Sequence, residues 1–382
     1  MKQIYLDNGA TSFPKAPGVS DAMKRYLDEI GANINRSVYG KAQEAGLTTL
    51  LLREKLKSFF SFPEKATHVL LTPGNTAALN MVIKGLLKPG DHVLVSSMEH
   101  NAVMRPLLQL NGVLFDRLPG NEEGYIDPED ARRLLRPNTK LCIMAHASNV
   151  SGTVQNAARL GEILAEAGVP FVLDCAQSAG HLPVDFQALK LSGLCVPGHK
   201  GLLGPGGVGA LLVTDAFSKS LTPLIAGGTG SASDSELLPD YLPDRFESGT
   251  GNLPGYYGLY AALSYMETVG LPALMSHEHA LTERFLTGAK AIPGVRIIGP
   301  QGMDNRVGVI SLDFVRGDNA QRADVLEQKY GILTRCGLHC APSAHKTLGT
   351  FPRGTVRFSL GYANTPEEVD AALEAVEAVS RL

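Results

Sequence analysis

The sequence lacks long hydrophobic runs, blocks of basic residues, internal repeats and low-complexity segments. Because no uninterrupted apolar stretch approaches about 18 residues, we expect no membrane-spanning helix. A net charge of −3 without a basic block argues against a nucleic-acid-binding protein. Residues 1–7 contain no apolar core of a signal peptide, so we expect a cytosolic protein.

The composition is otherwise that of an ordinary globular enzyme, with 44% hydrophobic and 19% charged residues. A length of 382 residues predicts two domains, or one large domain with an appendage. The five cysteines form an odd, scattered set. Cys142, Cys175 and Cys195 lie in or beside apolar runs, where a small buried thiol that packs in the core is the usual explanation.

Short apolar runs alternate with stretches of helical periodicity. Strands are predicted at residues 68–72, 93–96, 113–117 and 141–145, and helices at residues 42–60, 102–111 and 128–135. This repetition is typical of a mostly parallel sheet covered by helices. Functional loops then gather at one edge of the sheet, and the polar side chains that fall there are Thr76, His100, Asn149, Asp174 and Lys200.

Lys200 lies in a glycine-rich segment between two apolar runs. A lysine in a dry pocket loses its proton readily and forms a Schiff base with an aldehyde cofactor, although a solvated loop lysine explains this segment equally well. Asp174 ends the apolar run 171–174, which places a carboxylate at the edge where α/β folds bind ligands. Pyridoxal phosphate needs both an amine and a carboxylate that keeps its ring nitrogen protonated. The pair therefore predicts this cofactor.

A phosphate site is predicted where the run 68–72 meets Pro73-Gly74-Asn75-Thr76, the start of a helix. Free backbone N–H groups and the helix dipole attract an anion there, and Thr76 can add a hydroxyl contact. A helix cap at Asn75 or Thr76 explains the same residues.

Two motifs occur in the order of a known family. Asp174-Cys175-Ala176-Gln177 followed by His199-Lys200 resembles the class V aminotransferase branch of the fold-type I pyridoxal-phosphate enzymes. The pattern Arg-x-Gly-x-x-Cys at residues 335–340 resembles the group II cysteine desulfurases and the related selenocysteine lyases. The resemblance implies a large cofactor domain at residues 18–264 with a mostly parallel sheet of the seven-stranded type. A smaller α+β domain would comprise residues 1–17 and 265–382.

The resemblance also implies cofactor roles for further residues. It places His100 against the pyridine ring, and Asn149 and Gln177 on the side of the ring hydroxyl. His199 and Thr76 are candidates for the phosphate side. Family members often carry Ser or Thr three positions before the lysine, but Pro197 has neither a hydroxyl nor an N–H, so we expect partly rearranged phosphate contacts.

Substrate and dimer contacts follow from the same resemblance. Arg357 corresponds to the arginine that binds the substrate carboxylate, Arg36 and Asn149 approach the substrate, and Thr250 reaches across a homodimer interface to the partner's phosphate. From the residues alone, Arg357 also suits a salt bridge on an edge strand, and Arg36 suits a surface charge.

Cys336, His339, Cys340 and His345 supply zinc-ligand types, but their spacing matches no common zinc site, and we expect no metal. A structural role for Cys340 stays open. The favoured interpretation is a nucleophilic thiolate on a mobile loop, for which His339 and the cofactor-bound substrate are candidate proton partners.

Together these residues predict a cysteine desulfurase in which Lys200 removes the Cα proton and Cys340 takes the sulfur as a persulfide. Selenocysteine fits the same contacts, and an acceptor protein or thiol would remove the sulfur or selenium. A class V aminotransferase or another lyase that does not use Cys340 is the alternative function. A non-catalytic cofactor-binding or sulfur-carrier protein is the third possibility.

Overall fold

The computed structural model describes residues 3–34 and 38–382. Its strands are β1 (Ile4–Tyr5), β2 (Val69–Thr72), β3 (His92–Ser96), β4 (Leu114–Leu118), β5 (Thr139–Ala145), β6 (Phe171–Asp174), β7 (Gly193–Pro197), β8 (Gly209–Val213), β9 (Val295–Ile298), β10 (Val309–Phe314), β11 (Ile332–Leu333), β12 (Arg335–Gly337) and β13 (Thr355–Ser359).

The helices are α1 (Val19–Arg25), α2 (Gly40–Phe59), α3 (Asn75–Leu86), α4 (Asn101–Leu108), α5 (Asp130–Leu134), α6 (Ala157–Glu166), α7 (Asp215–Ser220), α8 (Leu253–Val269), α9 (Leu271–Lys290), α10 (Asn319–Tyr330), α11 (Pro342–Thr347) and α12 (Pro366–Ser380). A π-helical turn, Tyr26–Ile30, continues α1. Within the described ranges, no helix is both long enough and apolar enough to span a bilayer.

The large sheet has seven strands in the order β2-β8-β7-β6-β5-β3-β4. Strands β3 to β7 pair in parallel with one another, whereas β8 runs antiparallel to both β2 and β7. Successive side chains of a strand enter separate cores on the two faces of the sheet, as Leu141 and Ile143 do on one face and Cys142 and Met144 on the other. The predicted mostly parallel α/β fold is confirmed.

The second sheet is antiparallel, in the order β12-β13-β10-β9, and packs against α9 and α12 around its own hydrophobic core. The two-residue strand β1 pairs in parallel with β11, so the first described residues join this part of the molecule. Thr365 caps α12 by accepting the N–H of Glu368 at 3.3 Å, ahead of Pro366 in the first helical position.

The division between residues 264 and 265 stays a prediction. That point lies inside α8, whose helical hydrogen bonds continue to Val269. Gly270, with φ of 86°, separates α8 from α9 and is the nearest break in the helices.

Candidate active site

Eight of the predicted functional residues line a cavity of about 730 Å³ at the carboxyl edge of the large sheet, whereas Cys340, Arg357 and Thr250 do not line it. The side chains of this cavity come from loops that follow five different strands, because the carboxyl ends of parallel strands share one edge. The residues predicted from the sequence that line it are Asn75, Thr76, His100, Asn149, Asp174, Gln177, His199 and Lys200.

Asp174 ends β6 and is 3% exposed. Its Oδ1 accepts hydrogen bonds from Asn75 Nδ2 at 2.7 Å and from the backbone N–H of Ala176 at 2.9 Å. These two donors fix the plane of the carboxylate, although both of them bind the same oxygen. The carboxylate is therefore held rigidly at the edge of the cavity, as a group that must hold a ring nitrogen requires.

The anion site predicted at the start of α3 has the expected backbone. Gly74 has φ of 150° and precedes the first helical residue, Asn75. The first N–H groups of a helix lack partners inside the helix. Asn75 and Thr76, which open α3, both line the cavity, whereas the N–H of Ala77 donates to the carbonyl of Gly74 at 3.1 Å. A Cβ on Gly209 would come within 2.9 Å of Gly74 Cα, so β8 and this turn approach each other closely because Gly209 has no side chain.

Lys200 follows β7 and is half-buried among charged groups. Burial, together with the positive charge of Arg357, lowers the pKa of Lys200 to about 8. At pH 7 roughly a tenth of the amine is therefore unprotonated, which is the nucleophilic form.

His199 contributes a carbonyl oxygen on which donors from the N-terminal segment converge. Ser12 N–H lies 3.0 Å away, Ser12 Oγ 3.2 Å, Thr11 Oγ1 3.0 Å and Lys15 Nζ 2.8 Å. The backbone beside Lys200 is thus tied to residues more than 180 positions earlier. Burial lowers the pKa of the His199 ring to about 4, so this ring carries no charge toward a phosphate at neutral pH.

His100 caps α4, and its Nδ1 accepts the N–H of Ala102 at 2.9 Å. Burial lowers the pKa of this histidine, which favours the neutral ring. An accepting Nδ1 places the remaining ring proton on Nε2. The structure therefore presents a neutral, oriented aromatic ring at the cavity, which suits stacking on a pyridine.

The side-chain amides of Asn149 and Gln177 donate hydrogen bonds to backbone carbonyls of distant segments. Asn149 Nδ2 donates to the carbonyl of His339 at 2.6 Å, and Gln177 Nε2 donates to the carbonyl of Gly9 at 2.8 Å. Both side chains line the cavity, and both also anchor a segment from a distant part of the chain. Their cofactor roles stay predictions.

Cys340 lies in a loop that is fixed to the large sheet. His339 and Cys340 have φ of 47° and 59°, a conformation that is costly for residues other than glycine. It is stabilised because both carbonyls accept hydrogen bonds, that of His339 from Asn149 and that of Cys340 from Asn101 N–H at 2.8 Å. Asn101 directly follows His100, so the loop is anchored beside the cavity.

The Cys340 thiol is exposed, and Nη2 of Arg335 lies 3.7 Å from its sulfur. A guanidinium at this distance attracts negative charge on sulfur. His339 is a poor proton partner, because burial and the charge of Arg357 lower its pKa to about 2 and its Nε2 contacts Thr355 Oγ1 at 2.9 Å.

The other cysteines are packed in the interior. Cys142, Cys175 and Cys195 are fully buried, and burial raises the pKa of each thiol. Cys336 packs against the core of the smaller sheet, and burial raises its pKa as well. These thiols stay protonated at neutral pH. No group of three or more His, Cys, Asp or Glu suited to a metal ion occurs in residues 3–34 and 38–382.

Arg357 differs most from its predicted environment. It lies on β13, between β12 and β10 rather than at an edge, and its side chain is 2% exposed. One terminal nitrogen donates to the carbonyl of Asn149 at 3.1 Å and the other to Asp7 Oδ1 at 2.7 Å. The guanidinium therefore forms a buried ion pair in this structure, next to the predicted substrate site.

Thr250 is exposed and lines a separate cavity of about 840 Å³, which adjoins the first through shared residues such as Pro73 and Gly207. Thr250 and Lys200 of one chain do not line the same cavity. Arg36 lies outside the described residues.

Sequence reasoning missed three residues with evident roles in the site, namely Asp7, Lys15 and Glu99. It named Arg335 only as part of the family pattern, without a role. Glu99 is fully buried, and its Oε1 accepts the N–H of Ala145 at 3.0 Å. A charged residue directly after an apolar run was the available signal for Asp7, and a carboxylate four positions after the apolar run 93–95 was the signal for Glu99. The contact of Lys15 with His199 had no local signal.

A family model described as Aminotransferase class-V matches residues 4–372. The chain belongs to the class-V aminotransferase family. The resemblance inferred from the motifs is thereby confirmed at the level of the family. This family uses pyridoxal phosphate, and the cavity residues fit that cofactor, since they combine an amine at Lys200, a fixed carboxylate at Asp174 and the helix N-terminus beside Thr76.

Three proteins similar to this class-V chain are named cysteine desulfurases. A probable cysteine desulfurase of Methanothermobacter thermautotrophicus is 34% identical over 99% of this chain and 94% of that protein. One of Pyrococcus abyssi is 33% identical over 98% of this chain and 93% of that protein. The apo structure of a cysteine desulfurase from Thermococcus onnurineus, 32% identical, matches with a TM-score of 0.91 over 99% and 95% of the two chains.

Proposed function

We propose that this protein is a pyridoxal phosphate-dependent cysteine desulfurase, which converts L-cysteine to L-alanine and leaves a persulfide on Cys340. The observation that carries the proposal is the placement of Cys340. Its exposed thiol lies beside Arg335, on a loop anchored to the residue that follows His100. The names of the relatives support the same activity.

Bound pyridoxal phosphate supplies an aldehyde that takes an amine and a ring that withdraws electrons from the carbon next to that amine. Lys200 would hold the aldehyde, and Asp174 would keep a proton on the ring nitrogen. The N–H groups that open α3, with Thr76, would hold the phosphate, and the neutral ring of His100 would cover one face of the pyridine. Asn149 and Gln177 would approach the ring hydroxyl.

The protein residues carry out the proton and sulfur transfers. Arg357 binds the substrate carboxylate, and the neutral amine of Lys200 removes the Cα proton. The Cys340 thiolate then forms an S–S bond with the substrate sulfur while the Cβ–S bond breaks. The electron pair of the broken bond passes to the substrate, which becomes alanine after protonation. Arg335 attracts the negative charge of the attacking sulfur.

The proposal includes partners that the chain needs to complete a cycle. A protein or small thiol accepts the sulfur from Cys340, whose exposure leaves it accessible. A homodimer would bring Thr250 to the partner's phosphate, in keeping with the exposed position of Thr250. L-selenocysteine is a second possible substrate, because it presents the same amine and carboxylate. A cytosolic location stays a prediction.

Alanine and sulfide or selenide release from L-cysteine and L-selenocysteine, with a reductant, tests the proposal. We expect wild type to release both products and Cys340→Ala to lose turnover of cysteine, while the matched control Cys336→Ala retains it. The ratio of the two substrates decides between a desulfurase and a selenium-specific lyase. Full activity of Cys340→Ala would refute the persulfide mechanism and favour an aminotransferase or another lyase.

A further inference from the structure

The ion pair between Asp7 and Arg357 occupies the group that a substrate carboxylate needs. Asp7 Oδ1 accepts from one terminal nitrogen at 2.7 Å, and the carbonyl of Asn149 accepts from the other at 3.1 Å. The buried Nε has no hydrogen-bond partner in the part of the chain that the structure describes. A carboxylate binds the Nε–Nη2 edge of a guanidinium through two parallel N–H bonds. Asp7 already occupies Nη2 on that edge, so a substrate carboxylate and Asp7 compete for this nitrogen.

Exposure shows which partner is able to leave. The side chain of Arg357 is 2% exposed, whereas that of Asp7 is 21% exposed. The Asp7 backbone is held, because its carbonyl accepts the N–H of Ala10 at 3.0 Å and the residue bridges to Ser359. Rotation of the Asp7 side chain toward solvent would therefore free the guanidinium without moving the segment.

We propose that Asp7 is a competing carboxylate that holds Arg357 while no substrate is bound and gives way to the carboxylate of the incoming amino acid. The inference rests on the proposed function, in which Arg357 binds the substrate. The exchange leaves the buried guanidinium paired both before and after the substrate binds. It also adds a requirement for selectivity, because an amine without a carboxylate cannot replace Asp7.

With this competition, the apparent affinity for a carboxylate is the intrinsic affinity multiplied by the fraction of Arg357 that Asp7 leaves free. Removing the charge at position 7 should therefore strengthen binding. We expect Asp7→Asn holoenzyme to bind propionate at least about fivefold more tightly than wild type, and its KM for L-cysteine to fall. Propionate binding is measured by isothermal titration calorimetry, and KM by alanine release.

Two variants separate competition from a general loss of charge. Asp7→Glu keeps the carboxylate and should stay near the wild-type affinity. Glu278→Gln removes a carboxylate that pairs with His181 at 2.9 Å and has no contact with Arg357, so it should also leave propionate binding unchanged. If Asp7→Asn does not accumulate as folded protein, Asp7→Ser tests the same competition.

The outcomes distinguish this inference from the function on which it rests. Unchanged or weaker propionate binding in Asp7→Asn, with binding lost in Arg357→Ala, overturns the competition and leaves the substrate role of Arg357 intact. Unchanged binding in Arg357→Ala overturns both. A wild-type enzyme that binds propionate through Arg357 but releases no alanine refutes the desulfurase proposal alone.

Discussion

Replacing Asn149 by Ala should release the Cys340 loop from the large sheet. Asn149 is 8% exposed, His339 is 4% exposed, and the hydrogen bond between them is 2.6 Å long. The alanine variant leaves the His339 carbonyl buried without a donor, at a cost of about 1–3 kcal/mol. Since about 1.4 kcal/mol is tenfold in an equilibrium constant, the loop should open about 5-fold to about 150-fold more often.

Amide hydrogen exchange at Asn101 measures this opening directly, because its N–H donates to the Cys340 carbonyl. Exchange at Asn101 should accelerate by the same factor in Asn149→Ala, and the rate of persulfide formation should fall. Asn138→Ala is the matched control, since that exposed side chain donates to the carbonyl of Gly90 at 2.8 Å, away from the site. Unchanged exchange at Asn101 in Asn149→Ala would refute the anchoring role.

Three further perturbations test buried charge. Burial raises the pKa of Glu99 to about 8, so the folded state keeps a proton that the unfolded state releases above about pH 4.5. The free energy of unfolding should therefore fall as the pH rises from about 4.5 to about 8. Glu99→Gln should lack this decline in urea titrations at pH 5 and pH 8; a persisting decline would assign it elsewhere. Arg53→Ala should lower the free energy of unfolding by about 3–5 kcal/mol, because it leaves Glu247, bound at 2.6 Å, without its buried partner. Its control, Lys219→Ala, removes one partner of an exposed ion pair and should lower that free energy by less than about 1 kcal/mol. Equal losses in the two variants would contradict this expectation. Lys200 is mostly neutral above about pH 8. The rate at which the apoprotein binds pyridoxal phosphate, measured by absorbance, should therefore rise up to that pH and then level off. A pH-independent rate would exclude Lys200 as the titrating group.

The strands of the large sheet and the helices that cover it were predictable, because short apolar runs and helical periodicity are local features of the sequence. The strand predicted at residues 141–145 lies within β5, and the helix predicted at residues 42–60 is α2 with shifted ends. Once strands and helices alternate, topology alone collects the loops at one edge. This is why Thr76, His100 and Lys200 were assigned to one cavity from the sequence.

The partners of the polar side chains were not predictable from the sequence. Arg357 was expected to be open to substrate, or paired on an edge strand, but β13 lies inside its sheet. An arginine buried there needs a counter-charge, and nothing local indicates that Asp7, 350 positions away, provides it. Asn149 likewise has no sequence signal for its bond to His339, because contacts of such separation depend on the complete fold.

The joining of the first and last parts of the chain has a consequence for biosynthesis. β1 pairs with β11, and Gly9 N–H donates to Ser359 Oγ at 2.7 Å. A ribosome makes the earliest residues of this site long before their partners exist, so they must wait until nearly the whole polypeptide has emerged. Nascent chains arrested before residue 332 should therefore fail to retain pyridoxal phosphate. Retention by such chains would show that the cofactor pocket forms without the pairing of β1 with β11.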